Sequence, residues 1–242
     1  MNNTRQIKMF IGGMMAAAFA VAGYASFVSH TPQAPFALAV LGLAASTSRM
    51  KVKLPGVNGN MSVNLPFLLT AAVNLSAVEA VLITLISTTV QCWPRKGTRF
   101  NPQQMSFNLS MMAFATAAAS LMFHAAWLTR LEWSANPVGL ALATLVLFLG
   151  QTVPVAGIVS VSDNKSLSET WRNLALLSFP YYVIGAGITS MVQAVSAHLG
   201  WELALAVFPV MYFVHRSFKV YFAGMAETMR SEVLVKAVGA GA

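Results

Sequence analysis

The sequence predicts an all-α protein: a polytopic membrane bundle of about eight membrane segments, with both termini in the cytoplasm. Three observations predict it. Hydrophobic residues make up 57% of the chain and charged residues 9%, where soluble domains carry about 25% charge. The apolar residues fall in runs that reach or approach the roughly 20 residues a membrane-crossing helix needs. Fourteen of the fifteen Lys and Arg residues lie on one side of a path that crosses at every run, leaving Arg130 alone opposite. That asymmetry is the positive-inside pattern. The 242 residues suit one compact bundle without a separate catalytic domain.

The eight segments fall at about 9–28, 33–48, 61–74, 76–93, 104–128, 136–160, 172–195 and 199–220. The second, third and fourth are short and the others long enough to cross. Arg5 and Lys8 followed by an apolar run imitate a signal peptide, but 9–28 reads as the first transmembrane helix. Gly13, Ala16, Ala17 and Ala20 give it small residues at close spacing, which allow near approach of helix backbones in lipid. Ordinary internal packing is their plain use, and docking of a partner subunit the sharper one.

After the second segment come a basic triplet, Arg49, Lys51 and Lys53, and two turn signals, Pro55-Gly56 and Asn58-Gly59. Met61-Ser62-Val63-Asn64-Leu65 alternates before Pro66 and suits a short extended piece. The stretch 54–93 organises the chain. It holds two short apolar runs around a polar break at Val73-Asn74-Leu75-Ser76, with Glu79 its one charge. Such a break is tolerated in a bilayer only where protein or water covers the backbone. Merging the two runs into one crossing would move Arg95, Lys96 and Arg99 to the opposite side, so 61–93 is expected to be a membrane hairpin. A ligand site is expected here. The candidate ligand-binding residues are Asn60, Asn64, Asn74 and Glu79, with Asn108 from the fifth segment.

Glu79 is a functional candidate because an ionisable group inside a membrane segment is costly. It also completes a capping box, Ser76-Ala77-Val78-Glu79, in which Ser76 accepts from the Glu79 amide and Glu79 reaches back. The capping role is the expected one. The basic turn 95–99 under Trp93 would sit against anionic headgroups. Asn101 and Pro102 open the fifth helix as cap and first helical residue. Asn108 serves there either as an interhelical hydrogen bond or as part of a polar pocket.

Gln151 and Pro154 interrupt the sixth helix, while Pro180-Tyr181-Tyr182 and Gly185-Ala186-Gly187 interrupt the seventh, so kinks are expected. The eighth helix leaves the membrane alternating basic and aromatic residues. Arg216, Phe218, Lys219, Tyr221 and Phe222 are either an interfacial belt with snorkelling cations or a protein-binding surface. A polar helix at 224–236 and a disordered small-residue tail from Ala237 should follow. The organisation is thus a bundle at 1–222 and a cytoplasmic helix and tail at 223–242.

Several classes are set aside. The net charge of +8 sits in clusters at the ends of apolar runs, which argues for membrane lipids and against nucleic acid. The lone Cys92 precludes an internal disulfide or multi-cysteine metal site. His30, His124, His198 and His215 do not share metal-ligand spacing. Neither a nucleophile with its base nor a phosphate-cradling loop is present, so the chain is not read as an enzyme, and no cofactor is assigned. A site built from Glu79, His124 and Asn108 is the remaining catalytic alternative.

The 54–93 pattern (LPG, NMSVN, PFLL, then a helix ending CWPR) resembles membrane sensory modules of the MASE type, which precede HD-GYP or GGDEF output domains. The exit YFVHRSFKVYF is similar to their connector. The likeness spans roughly residues 35–230, and the chain departs from it in that no output domain follows Lys236. It implies a non-catalytic module that binds a partner protein or a small hydrophobic ligand, as a detached sensory unit or a subunit of a larger membrane complex. A weaker likeness is to the S components of energy-coupling-factor vitamin transporters, whose first helix docks the transport subunit.

Overall fold

A computed structural model describes residues 3–28, 34–53, 60–94, 100–128, 135–199 and 207–239. The turns at Pro55-Gly56 and Asn58-Gly59, the basic turn 95–99, Arg130, His30, the tail from Ala240 and the side chains of Asn60 and His198 lie outside that description. The described chain is helical: α1 (Asn3–Phe27), α2 (Ala34–Ser48), α3 (Leu65–Asn74), α4 (Ala77–Cys92), α5 (Pro102–Phe123), α6 (Ala135–Asp163), α7 (Leu167–Leu199) and α8 (Val207–Gly239). Strands β1 (Lys51–Lys53) and β2 (Asn60–Ser62) form a small antiparallel ribbon between α2 and α3, pairing Lys51 with Ser62 and Lys53 with Asn60.

Among the described residues, four helices, α1, α5, α6 and α7, are long and apolar enough to cross a membrane, the build of a multi-pass membrane protein. α2, α3 and α4 are apolar but shorter. Of the crossing expected at 199–220, residues 200–206 lie outside the described residues, and the described α8 starts at Val207.

The centre of the molecule is the shortest helix. α3 has ten residues, about 15 Å of helix, and nine of them, Leu65 to Val73, are buried. A helix apolar all round belongs inside, and α3 packs against α2, α4, α5, α6 and α7. Leu75 and Ser76 are extended, which reverses the chain into α4. α3, with the buried face of α4, is therefore the core about which the long helices assemble.

Close packing in this bundle rests on small side chains. A Cβ at Gly150 would stand 2.9 Å from Ala115 Cβ and 3.1 Å from Ala115 Cα, so α5 and α6 meet backbone to backbone. Gly185 makes room for the Leu65 side chain, whose Cδ2 would lie 3.1 Å from a Cβ there, joining α7 to the start of α3. The Gly185-Ala186-Gly187 run thus stays helical inside α7, as does the chain through Pro154 and Pro180. Neighbouring helices support these residues where an isolated helix would weaken.

Two expectations are corrected. The small residues expected to pack α1 are not its buried face: Gly13, Ala16 and Ala20 are exposed, and the buried residues are Ile11, Met14, Ala18 and Ala25. The four small residues singled out in the sequence fall off that face, with Ala17 half-buried, whereas Ala18 and Ala25 are the small residues that reach the core. α8 continues unbroken through Gly224 and reaches Gly239, three residues into the expected disordered tail. One glycine costs a helix only about 1 kcal/mol, and Ala223, Met225, Ala226 and Glu227 around it are good helix formers.

Candidate functional site

The start of α3 is built unusually. Asn64 stands at its cap, buried, but its side chain makes no capping bond. The helix does not need one. Leu65 N–H donates to the Tyr181 hydroxyl at 3.2 Å, Pro66 has no N–H, and Phe67 and Leu68 both donate to the Asn64 carbonyl at 3.1 Å. With its usual duty met by others, the Asn64 side chain is released, and Nδ2 has no hydrogen-bond partner.

That side chain lines a cavity of about 480 Å³ between α1, α3, α4, α5, α6 and α7. Thr88 and Gln91 enter from α4, Asn108 and Phe107 from α5, Gln151 and Thr152 from α6, Tyr181 and Tyr182 from α7. Exposed Asn101, Gln103 and Gln104 mark its mouth. Every contributing stretch lies toward one end of the bundle, beside Arg5, Lys8, Lys165 and Arg172. The ribbon with Lys51 joins that end through α8, which packs on β1 and brings Phe218 to Tyr181 at 5.7 Å between ring centroids. We call this the basic end. None of the residues lining the cavity is charged at neutral pH.

The polar atoms around the cavity divide into bound and unbound. Tyr182 O–H donates to Gln151 Oε1 at 2.7 Å, Trp171 Nε1 donates to Thr152 at 3.2 Å, and Asn108 Nδ2 donates to Cys92 Sγ at 3.3 Å. Asn64 Nδ2, Thr88 Oγ1 and Gln151 Nε2 are buried without a partner, and His215 Nδ1, on α8, is the fourth such atom among the described residues. Buried polar groups almost always find partners. Three such atoms lie on a single cavity, where their hydrogen-bonding capacity is open to whatever fills it.

Of the sequence candidates, the structure brings Asn64 and Asn108 together on this cavity. Asn60 contributes its backbone to the ribbon. Asn74 and Glu79 sit at the opposite end of the α3–α4 pair. Asn74 Nδ2 donates to Thr70 O at 3.1 Å and its Oδ1 accepts from Gln193 at 3.4 Å. The capping box is present: Ser76 Oγ accepts from Glu79 N at 3.3 Å, and Glu79 Oε2 accepts from Ser76 N at 3.1 Å and Ser76 Oγ at 2.6 Å. His124, at the end of α5, has Nδ1 2.9 Å from Ser120 O. On α8, Phe222 is buried and Phe218 half-buried, stacked on each other at 5.7 Å, whereas Arg216, Lys219 and Tyr221 are exposed.

Sequence reasoning missed Thr88, Tyr181, Tyr182 and the site role of Gln151. The available signal was a side chain able to hydrogen-bond inside an apolar span, which Gln151 and Tyr182 both satisfy. No known protein family, curated protein or solved structure matches the chain.

Proposed function

We propose that this protein is a non-catalytic integral membrane module that holds a small molecule in the cavity at its basic end. The observation that carries the reading is the convergence of three unpartnered polar atoms on one cavity. Its volume of about 480 Å³ falls among small-molecule sites. The sensory modules it resembles supply the role: occupancy is reported to a protein partner, for which exposed Arg216, Lys219 and Tyr221 on α8 offer a surface. Reversing both charges (R216E with K219E) should release that partner without loss of the small molecule; retention of every partner rejects the surface.

The reading places the protein in the cytoplasmic (inner) membrane, with eight membrane segments, 61–93 a hairpin, and both termini and the basic end in the cytoplasm. The basic residues gathered about one end support this. In a Cys92-free background, an impermeant thiol reagent should label a cysteine at Glu132 from outside and one at Gly97 only from inside. Outside labelling at Gly97 would reject the topology.

The function is tested by purifying the full chain from native membrane and identifying every retained molecule by mass spectrometry. A bound small molecule in one-to-one amount is expected; recovery with bulk lipid alone would sink the reading. The outward-facing Gly13, Ala16 and Ala20 favour the second reading, a transporter S component. A vitamin as the retained molecule, together with a transport subunit, would select it.

A further inference from the structure

From the donor set of the cavity we infer that its ligand is an uncharged molecule presenting at least two carbonyl-type acceptor oxygens. The inference rests on the small-molecule reading and adds the chemistry. Asn64 Nδ2 and Gln151 Nε2 are amide nitrogens, which donate and never accept. The Gln151 amide is oriented by Tyr182, whose O–H occupies Oε1 at 2.7 Å and leaves the NH₂ for a ligand. Thr88 Oγ1 takes either role. The three come from the start of α3, from α4 and from α6, so one molecule between them would bridge separate helices.

Charge narrows the class. The lining holds no Lys, Arg or His to compensate an anion and no Asp or Glu to compensate a cation. An ion taken out of water without a counter-charge is strongly disfavoured. The rim cations near Arg5 and Arg172 stand outside the lining and in reach of solvent screening. The apolar walls, with Phe107, Leu68 and Met112, suit a flat or compact hydrocarbon body carrying the carbonyls.

The test uses three probes with the same fused-ring skeleton, measured by calorimetry on the full chain in lipid nanodiscs and corrected for partition into empty nanodiscs. N-methylphthalimide is uncharged with two carbonyls, indane has no acceptor, and indane-2-carboxylate is an anion. N-methylphthalimide should bind about tenfold more tightly than either of the others. Thr88→Val and Gln151→Met should each weaken it about fivefold to tenfold while leaving indane within about twofold. Thr88→Val keeps shape, so it remains informative if Gln151→Met fails to fold.

Equal binding of all three probes, preference for the carboxylate, or indifference of N-methylphthalimide to both substitutions would each overturn the inference. So would binding of none of them, which would leave the cavity a hydrated space. The broader reading fails separately, when native purification retains no stoichiometric small molecule.

Discussion

The two ends of the α3–α4 hairpin make opposite use of polar side chains. At the tip, Ser76 and Glu79 satisfy each other through a reciprocal capping box, and Asn74 is held by Thr70 and Gln193. At the root, the α3 amides are satisfied by Tyr181 and by the Asn64 carbonyl, while Asn64, Thr88 and Gln151 keep unpartnered atoms on a cavity. The one charge of the hairpin therefore sits where the chain needs a turn. The amides left with an unpartnered nitrogen, Asn64 and Gln151, sit on the cavity. In a membrane protein charge attracts attention first, yet here unsatisfied hydrogen bonding locates the candidate site better.

The largest effect should come from the α5–α6 contact beside the root cavity. Gly150 precedes Gln151 and meets Ala115 backbone within 3.1 Å of where a Cβ would lie. Gly150→Val must push α5 and α6 apart, at about 3 kcal/mol for overpacking of a tight contact. Thermal unfolding in detergent should show a clear loss of stability together with loss of any bound molecule. An unchanged melting temperature would mean that the two helices are not so close, and that the cavity has different walls.

At the tip, Ser76→Ala should cost about 1 kcal/mol, the usual worth of a cap, and leave ligand retention intact. Glu79→Gln should cost only about half as much or less, since glutamine also serves at the third position of a capping box. If Glu79→Gln abolished ligand retention while the protein stayed folded, the roles of the two ends would be exchanged.

How much of this was legible follows from the range of each interaction. The polar break and the capping box are local, set within three or four residues, and the sequence carries them directly. The extended piece expected at 61–65 is strand only to Ser62, before a turn at Val63 and Asn64 and a helix from Leu65. Asn64 and Asn108 were legible as polar residues in apolar surroundings. Their meeting with Gln151, Thr88 and Tyr181 was not, because those come from other helices and nothing local encodes which faces converge. The α1 stripe failed for the same reason: spacing shows that Gly13, Ala16 and Ala20 lie near one face, not whether that face points inward. The helix at 224–236 was legible from its composition, and only its extension over Ala237, Val238 and Gly239 was not.

The smallest and sharpest test lies within one helix. Thr84 and Thr88 are one turn apart on α4, and both are essentially fully buried. Thr84 Oγ1 lies 3.1 Å from Thr116 Oγ1, whereas Thr88 Oγ1 has no partner. Valine matches threonine in shape, so each substitution removes a hydroxyl and little else. Thr84→Val strands the Thr116 hydroxyl and should cost about 1 kcal/mol, less whatever Thr116 recovers from its own helix carbonyls. Thr88→Val removes a group that gains nothing in the unliganded fold, so stability should stay the same or rise by up to about 1 kcal/mol. The comparison is best made on protein stripped of bound molecules, because a ligand on Thr88 would stabilise the parent alone. Equal losses at the two positions would mean that the Thr88 hydroxyl is already satisfied by water, and the distinction between the bound and unbound ends of the hairpin would fall with it.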